Sequence, residues 1–152
     1  MLTFITQNEQ ETEALGYKLA SFLRYEDAPV ILLEGPLAAG KTTFTKGIGR
    51  ALEITRVINS PSYTIMKEYQ SKTSNQYLYH FDLYRLEENN QDYDLEEYLY
   101  SEGFKVIEWP SKVPNIVPEQ YIKVKFTSIS EHKRQIEISC HAPCCTHLEE
   151  RL

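Results

Sequence analysis

The chain contains few cysteines, and all three lie within its last 13 residues. An odd number clustered at one end does not form the framework of a small disulfide-stabilised protein. Cys144 and Cys145 are adjacent and lack the two-residue spacer of a common zinc knuckle, although Cys140 and two histidines lie close by in the sequence. The pattern therefore favours a reduced, loose tail over about residues 142–152, with a structural zinc site as the alternative.

Long apolar runs and an excess of basic charge are also missing. No stretch approaches the roughly 20 apolar residues of a membrane span, and residues 1–7 lack the features of a signal peptide. We therefore expect a cytoplasmic protein with no membrane partner. The net charge is −6, from 16 basic and 22 acidic residues, which disfavours a grip on a nucleic-acid backbone by this chain alone. We expect any RNA contact to be indirect, through a partner.

Much of the acidic charge falls between Thr64 and Lys105. A mixed acidic run is typical of a solvated helix face, and a docking surface for a basic partner is the alternative. The pattern from Asp92 to Tyr100 predicts a helix that ends before Gly103. The acidic residues concerned are Glu87, Glu88, Asp92, Asp94, Glu96 and Glu97.

Hydrophobic periodicity predicts alternating strands and helices along the rest of the chain. A capping box at Asn8 and Glu11 predicts the start of a helix that runs to about Tyr25. Strands are predicted at residues 2–6, 30–33, 63–69, 77–82, 104–108, 122–126 and 136–140, and a second helix contains Phe44 to Leu52. No repeat or linker divides the 152 residues, so we expect a single domain over 1–152.

The strongest motif joins the predicted strand at 30–33 to the second helix. Its pattern, Gly-x-x-x-x-Gly-Lys-Thr, turns backbone N–H groups towards an anion at a helix N-terminus. Lys41 then supplies a charge to the β- and γ-phosphates, and the Thr42 hydroxyl is a suitable magnesium ligand. The nucleotide-binding residues predicted here are Gly35, Pro36, Leu37, Ala38, Ala39, Gly40, Lys41, Thr42 and Thr43. The fold class that this motif predicts is α/β, a P-loop NTPase-like three-layer fold with a central mostly parallel sheet, antiparallel additions and flanking helices.

Two carboxylates are candidates for the acidic side of a magnesium site, because each closes a predicted buried strand. Asp82 ends the strand at 77–82, and Glu108 ends the strand at 104–108. Either could ligate the ion through water or orient an attacking water, and either could be a surface acid that ends a strand. Arg85 could pair with Asp82 or reach a phosphate, and spacing alone favours an ordinary salt bridge with Asp82. The guanine-reading motif of small GTPases is absent, so ATP is the default nucleotide by elimination.

Four segments together resemble the TsaE (YjeE-like) family, a small bacterial ATPase needed to make threonylcarbamoyladenosine in tRNA. They are Gly35–Thr43, Ser60–Thr64, His80–Leu86 and Ile107–Pro110. The resemblance implies that ATP and Mg²⁺ are the cofactors. It also implies two protein partners, the transferase that modifies adenosine 37 of tRNA and its inactive paralogue, with tRNA contacted only through their complex.

The resemblance also implies roles for individual residues. Lys41 would bind phosphates, Thr42 and Asp82 would hold magnesium, and Glu108 would assist hydrolysis. Residues 60–64 would act as a nucleotide-sensing switch, and Trp109 would lie near the nucleotide or the partner. Hydrolysis would reset the complex between turnovers and would not transfer the threonylcarbamoyl group.

The chain departs from the common family pattern at four positions. Pro36 and Ala38 replace an aspartate and a glycine in the loop, and proline removes one backbone donor. Ser62 stands where threonine is usual, and Ser111 stands where an acid is frequent. Two other functions stay open: a small-molecule kinase on the same loop, for which no arginine cluster between Asp82 and Glu108 supplies a lid, and a binding module that holds ATP as a clamp.

Overall fold

The structure, a computed structural model, describes residues 1–86 and 95–152. These residues form a mixed sheet flanked by helices. The strands are β1 (Leu2–Thr6), β2 (Val30–Glu34), β3 (Met66–Gln70), β4 (Tyr77–Asp82), β5 (Phe104–Glu108), β6 (Tyr121–Ser128) and β7 (Arg134–His141). The helices are α1 (Glu9–Ser21), α2 (Lys41–Ala51), α3 (Leu95–Leu99) and α4 (Leu148–Arg151). None of the helices in these two ranges is long and apolar enough to cross a bilayer.

The acidic region lies partly outside the described residues. The predicted helix began at Asp92, and α3 begins at Leu95, where the description resumes. Glu87, Glu88, Asp92 and Asp94 fall in the segment that is not described. The choice between a solvated face and a docking surface therefore stays a prediction.

The sheet has the strand order β1-β7-β6-β2-β5-β4-β3. Strands β6, β2, β5 and β4 run parallel, whereas β1, β7 and β3 are added antiparallel. Three of the six neighbouring pairs in the described sheet are thus parallel, fewer than the predicted mostly parallel sheet required. The reason is that two hairpins, β3–β4 and β6–β7, each place one antiparallel strand beside the parallel core, and β1 then pairs antiparallel with β7.

Side chains of β2 alternate between the two faces of the sheet and bury both. Ile31 and Leu33 pack in one core with α1, α2 and α4, while Val30 and Leu32 pack in another with α3. A strand buried on both faces needs this continuous apolar run, because helices cover each side. The predicted mixed α/β fold with flanking helices is confirmed.

Helix α1 begins at the predicted capping box. The Asn8 side chain accepts a hydrogen bond from the Glu11 N–H at 2.9 Å, and the Glu11 carboxylate accepts one from the Gln7 N–H at 2.6 Å. The helix ends at Ser21, short of the predicted Tyr25, because the Phe22 N–H turns back to the carbonyls of the last turn. A 3₁₀ turn over Tyr25–Asp27 follows.

Strand β3 begins three residues later than the predicted residue 63. The N–H groups of Thr64 and Ile65 both donate to the Pro61 carbonyl, at 3.1 and 2.8 Å, so residues 61–65 form a turn. Tyr63 is consequently 85% exposed. The alternating pattern that predicted a strand here is satisfied only from Met66 onwards.

The tail is attached to the core, which corrects the prediction of a loose, reduced segment. A disulfide joins Cys140 on β7 to Cys145, with a Cα–Cα distance of 5.8 Å. Cys145 and Leu148 are buried against the core that contains α1 and α2. Among the described residues no group of three or more His, Cys, Asp or Glu side chains is placed to hold a metal ion. The alternative of a structural zinc is therefore not supported in that part of the chain.

Lys105 on β5 is a buried lysine whose positive charge destabilises the folded state. Its side chain is 1% exposed, and its Nζ donates to the Ser101 carbonyl at 2.6 Å. Burial lowers the pKa of Lys105 from 10.5 to about 8. The unfolded chain keeps the ammonium protonated to about pH 10.4. Folding therefore releases a proton between these pH values, and the free energy of unfolding should rise with pH across this interval.

We expect Lys105→Met to raise the free energy of unfolding at pH 7 by about 2 kcal/mol. The pKa difference corresponds to about 3 kcal/mol, from which about 1 kcal/mol is subtracted for the lost hydrogen bond. The advantage should shrink as pH rises from about 8 towards 10.4, because the folded wild-type lysine is then already neutral and the unfolded chain begins to lose its own proton. Urea unfolding at pH 7, 8.5 and 10 measures the free energy of unfolding of both proteins. Lys125→Met, at an exposed position of β6, is the control. Parallel pH profiles for wild type and Lys105→Met would contradict the expectation.

Candidate functional site

The glycine-rich loop connects β2 to α2 at the carboxyl end of the parallel strands. Gly40 is the residue before α2, with φ of 102°, a conformation that L side chains rarely adopt. Its carbonyl accepts from the Phe44 N–H at 2.9 Å as the helix begins. The loop thus delivers the first turn of α2, including Lys41, directly beside the end of β2. The first-turn N–H groups of such a helix favour an anion.

Arg134 on β7 holds the loop from the other side. Its Nε donates to the Ala39 carbonyl at 3.1 Å, and its Nη2 donates to the Ala38 carbonyl at 3.2 Å. These two bonds fix the backbone of the loop at Ala38 and Ala39. Sequence reasoning missed this residue because the contact spans 95 positions, and a lone arginine in a polar turn before a predicted strand carries no local signal.

Asp82 and Glu108 lie side by side because β4 and β5 are neighbouring parallel strands. The two residues are paired in register at the ends of their strands. Their exposures are 4% and 3%, so neither is an ordinary surface acid. Carboxylates so buried need partners that satisfy their charge. The alternative in which each acid simply ends a strand at the surface is wrong.

The Glu108 carboxylate has two partners, the ammonium of Lys41 and the imidazole of His80. Its Oε1 lies 4.0 Å from Lys41 Nζ, and its Oε2 lies 2.6 Å from Nε2 of the fully buried His80. His80 is a second residue that sequence reasoning missed. The available signal was a histidine inside an otherwise apolar strand, two residues before Asp82.

Lys41 is buried in the site, with 5% of its surface exposed. Its Nζ donates to the Gly35 carbonyl at 2.7 Å and lies 4.1 Å from the centre of the Trp109 ring. Burial lowers the pKa of Lys41, and the carboxylates of Glu108 and Asp82 oppose that shift. The ammonium is therefore incompletely compensated, and an added anion such as phosphate would stabilise it.

Asp82 accepts hydrogen bonds from the segment that precedes β3. Its Oδ2 accepts from the hydroxyls of Ser62 at 3.0 Å and Ser60 at 3.3 Å, and its Oδ1 accepts from the Tyr84 N–H at 3.0 Å. The predicted salt bridge with Arg85 is wrong. That guanidinium stacks over the ring of exposed Tyr63, 4.4 Å from its centre.

Two residues of the site hold left-handed backbone without being glycine. Ala38 has φ of 59° and Trp109 has φ of 58°. Such positions cost about 1–3 kcal/mol each and persist only where surrounding contacts fix them. Arg134 contacts Ala38, while the Trp109 ring packs against Tyr84 at 4.9 Å between centres. A glycine at position 38 would adopt this backbone conformation without that strain.

One cavity of about 360 Å³ brings most of the predicted site together. The predicted residues that line it are Leu37, Ala38, Ala39, Gly40, Lys41, Thr42, Thr43, Asp82, Glu108 and Trp109. Gly35 and Pro36 border a neighbouring cavity of about 710 Å³ that Trp109 also lines. Ser60 and Ser62 complete one wall of the first cavity, and Glu131, His132 and Arg134 of the β6–β7 hairpin complete another.

The donor set fits a nucleotide phosphate with magnesium. The Thr42 hydroxyl and the carboxylates of Asp82 and Glu108 are hard oxygen ligands, which Mg²⁺ prefers. Oδ1 of Asp82 accepts one hydrogen bond and keeps a second lone pair, whereas Oδ2 already accepts two. Lys41, whose pKa is lowered by burial, would supply the positive charge that such phosphates need. The chemistry of these side chains therefore agrees with the predicted ligands.

The fold and this cavity define a mixed α/β protein with a glycine-rich anion loop and buried acids at adjacent strand ends. The sequence model of one family, described as "Threonylcarbamoyl adenosine biosynthesis protein TsaE", matches residues 6–136. The chain belongs to the TsaE family. The resemblance identified from four segments is thereby confirmed.

Relatives with curated descriptions share most of the chain. A protein of Bacillus subtilis (strain 168), described as "tRNA threonylcarbamoyladenosine biosynthesis protein TsaE", is 38% identical over 135 residues, which cover 89% of this chain and 83% of the relative. A Nostoc protein with the same description is 39% identical, with coverages of 91% and 86%. The crystal structure of B. subtilis YdiB superposes with a TM-score of 0.82 at 32% identity, covering 98% of this chain and 92% of that chain.

Proposed function

We propose that this protein binds and hydrolyses ATP with Mg²⁺ as an accessory protein for threonylcarbamoylation of adenosine 37 in tRNA. It acts on the transferase complex, in contact with the transferase subunit and its inactive paralogue, and reaches tRNA only through them. The descriptions of the relatives as tRNA threonylcarbamoyladenosine biosynthesis proteins support the pathway. The single observation that supports ATP hydrolysis is the meeting of buried Lys41, Asp82 and Glu108 at one strand–loop–helix junction.

The loop architecture supports a P-loop NTPase fold for the binding step. The N–H groups at the start of α2 and the ammonium of Lys41 bind the phosphates. Thr42 and Asp82 hold the metal ion, which supplies charge neutralisation when bound. Glu108 positions and accepts the proton of the attacking water. Trp109 closes the site, since its ring already covers Lys41 Nζ at 4.1 Å.

The acidic surface supports a partner-mediated role. A chain of net charge −6 gains little from phosphate contacts with tRNA. Exposed Tyr63, on whose ring Arg85 stacks, directly follows Ser62 in the chain. The Ser62 hydroxyl donates a hydrogen bond to Asp82. A displacement of Asp82 when the metal ion binds would therefore move Ser62 and, next to it in the chain, the exposed ring of Tyr63.

The test is co-purification with the transferase subunit and its paralogue, with and without ATP. We expect a ternary complex whose stability changes with the nucleotide, and hydrolysis that rises when the partners are added. Labelled ATP reports hydrolysis and transfer together. Label that appears on a nucleoside or metabolite would instead support a kinase, and binding without any turnover would support a clamp.

Glu108→Gln separates hydrolysis from simple clamping. We expect turnover to fall about a hundredfold, because a positioned base contributes about 10²–10⁴. ATP affinity should be equal or higher, because a negative charge next to the phosphates is removed. The measurements are steady-state hydrolysis and equilibrium binding of ATP.

The matched control for this experiment is Glu131→Gln. Glu131 lines the same cavity, but its side chain is 89% exposed. This variant should keep turnover within about twofold, since exposed charges interact weakly. If Glu108→Gln also kept turnover and nucleotide release unchanged, ATP would be a clamp and not a substrate.

A further inference from the structure

His80 is a buried polar residue that none of the roles above uses. It lies on β4 with no exposed surface, between the apolar neighbours Tyr79 and Phe81. Its Nε2 is 2.6 Å from Oε2 of Glu108. An ionised carboxylate can only accept in such a pair, so Nε2 carries a proton. His80 is therefore a donor to the residue that acts on water in the proposed reaction.

The second ring nitrogen of His80 is evidence that the residue does more than fill the core. Nδ1 has no hydrogen-bond partner in the described part of the chain. A buried nitrogen without a partner is unfavourable, and an apolar side chain would fill this place without that cost. Leu78 and Phe81 on the same strand are fully buried apolar residues of this kind. The bond from Nε2 is thus the feature that distinguishes histidine here.

The hydrogen bond from His80 gives the two oxygens of Glu108 different surroundings. Oε2 is held by His80, while Oε1 lies 4.0 Å from Lys41 Nζ. The terminal torsion of a glutamate is otherwise soft, so a carboxylate held at one oxygen keeps the other in a defined direction. Displacements on the scale of 1 Å at a reacting group can lower turnover about a hundredfold.

We propose that His80 is a positioning residue, which acts through Glu108 to direct its free oxygen into the cavity. This inference rests on the proposed function. It goes beyond the roles of Lys41, Asp82 and Glu108, because it assigns the geometry of the base to a residue of the neighbouring strand. His80 itself contacts neither nucleotide nor metal in this proposal.

Two substitutions test this role. His80→Leu keeps an apolar core side chain but cannot donate, and His80→Gln places an amide N–H at nearly the same reach as Nε2. We expect kcat of His80→Leu to fall about tenfold or more, with KM for ATP changed by less than about threefold. His80→Gln should recover most of kcat. A purely structural role would move kcat and KM together and would give no recovery by glutamine.

A double-mutant cycle shows whether His80 acts through Glu108. In the Glu108→Gln background, His80→Leu should change kcat by less than about twofold, because the group that it orients has already lost its function. Additive losses would overturn the proposal. So would equal activities of the leucine and glutamine variants in the wild-type background.

The tautomer of His80 gives a readout that needs neither nucleotide nor activity. We expect ¹⁵N NMR of the wild-type protein to show a proton on Nε2 of His80, and an Nε2 without a proton would overturn the proposal. Thermal unfolding of each variant verifies that it folds. A wild-type protein that hydrolyses no ATP with its partners would reject the proposed function and this role together. Hydrolysis with additive losses would reject the role of His80 alone.

Discussion

Lys41→Ala is expected to lower ATP hydrolysis by about a hundredfold or more and to abolish support of tRNA modification in cells. The ammonium is the buried cation of the cavity, 4.0 Å from Glu108 Oε1 and 4.1 Å from the Trp109 ring centre. Preorganised charges that act on developing negative charge contribute about this much to a reaction. The measurements are partner-stimulated hydrolysis in vitro and threonylcarbamoyladenosine content of tRNA from a complemented strain.

Loss of activity in this variant should not reflect loss of folding. Burial lowers the pKa of Lys41 despite the opposing carboxylates, so its charge destabilises the folded state and a neutral side chain relieves that cost. Lys41→Met, which keeps an apolar stem, should therefore unfold at a temperature close to that of wild type and still lack hydrolysis, because relief of the buried ammonium is offset by the loss of a partner for Glu108. Lys46→Met, on the exposed face of the same helix, is the control. Full tRNA modification with Lys41→Ala would reject the ATPase role.

Gly47→Ala is expected to lower the free energy of unfolding by more than about 3 kcal/mol. Helices α1 and α2 approach so closely at this point that a Cβ on Gly47 would overlap the Glu13 carbonyl oxygen and lie 2.7 Å from the Tyr17 nitrogen. These are backbone atoms, which cannot rotate away, so the helices must separate. Overpacking of this kind costs about 1–3 kcal/mol where side chains can adjust and more where they cannot.

Separation of the helices should also reach the functional site. Helix α2 carries Lys41 in its first turn, so the nucleotide affinity of any folded Gly47→Ala protein should fall. Urea unfolding measures the stability and equilibrium binding measures the affinity. Lys46→Ala, at the exposed neighbouring position, should stay within about 0.5 kcal/mol of wild type. Equal urea midpoints for Gly47→Ala and wild type would show that the helix pair tolerates a wider separation.

Local patterns predicted the strands near the site well, and the turns less well. The strands at 77–82 and 104–108 were predicted with the bounds of β4 and β5, because both are short runs that end at an acid. The start of β3 was wrong, since the carbonyl of Pro61 takes two N–H groups that a strand would have used. The tail was wrong as well, because the contacts of Cys145 and Leu148 with the core are not visible in their spacing.

The sequence by itself determined the anion loop, the two acids at strand ends and the family, because each depends on residues adjacent in the chain. Only the tertiary structure decided that Asp82 and Glu108 lie side by side, that Arg134 holds the loop, and that His80 binds Glu108. The physical reason is strand order: β4 and β5 become neighbours through pairing of backbone groups, which spacing along the chain does not specify. Charge compensation in a buried site likewise depends on distances between segments of the chain. The contacts of Glu108 with Lys41 and His80 arise only in the folded structure.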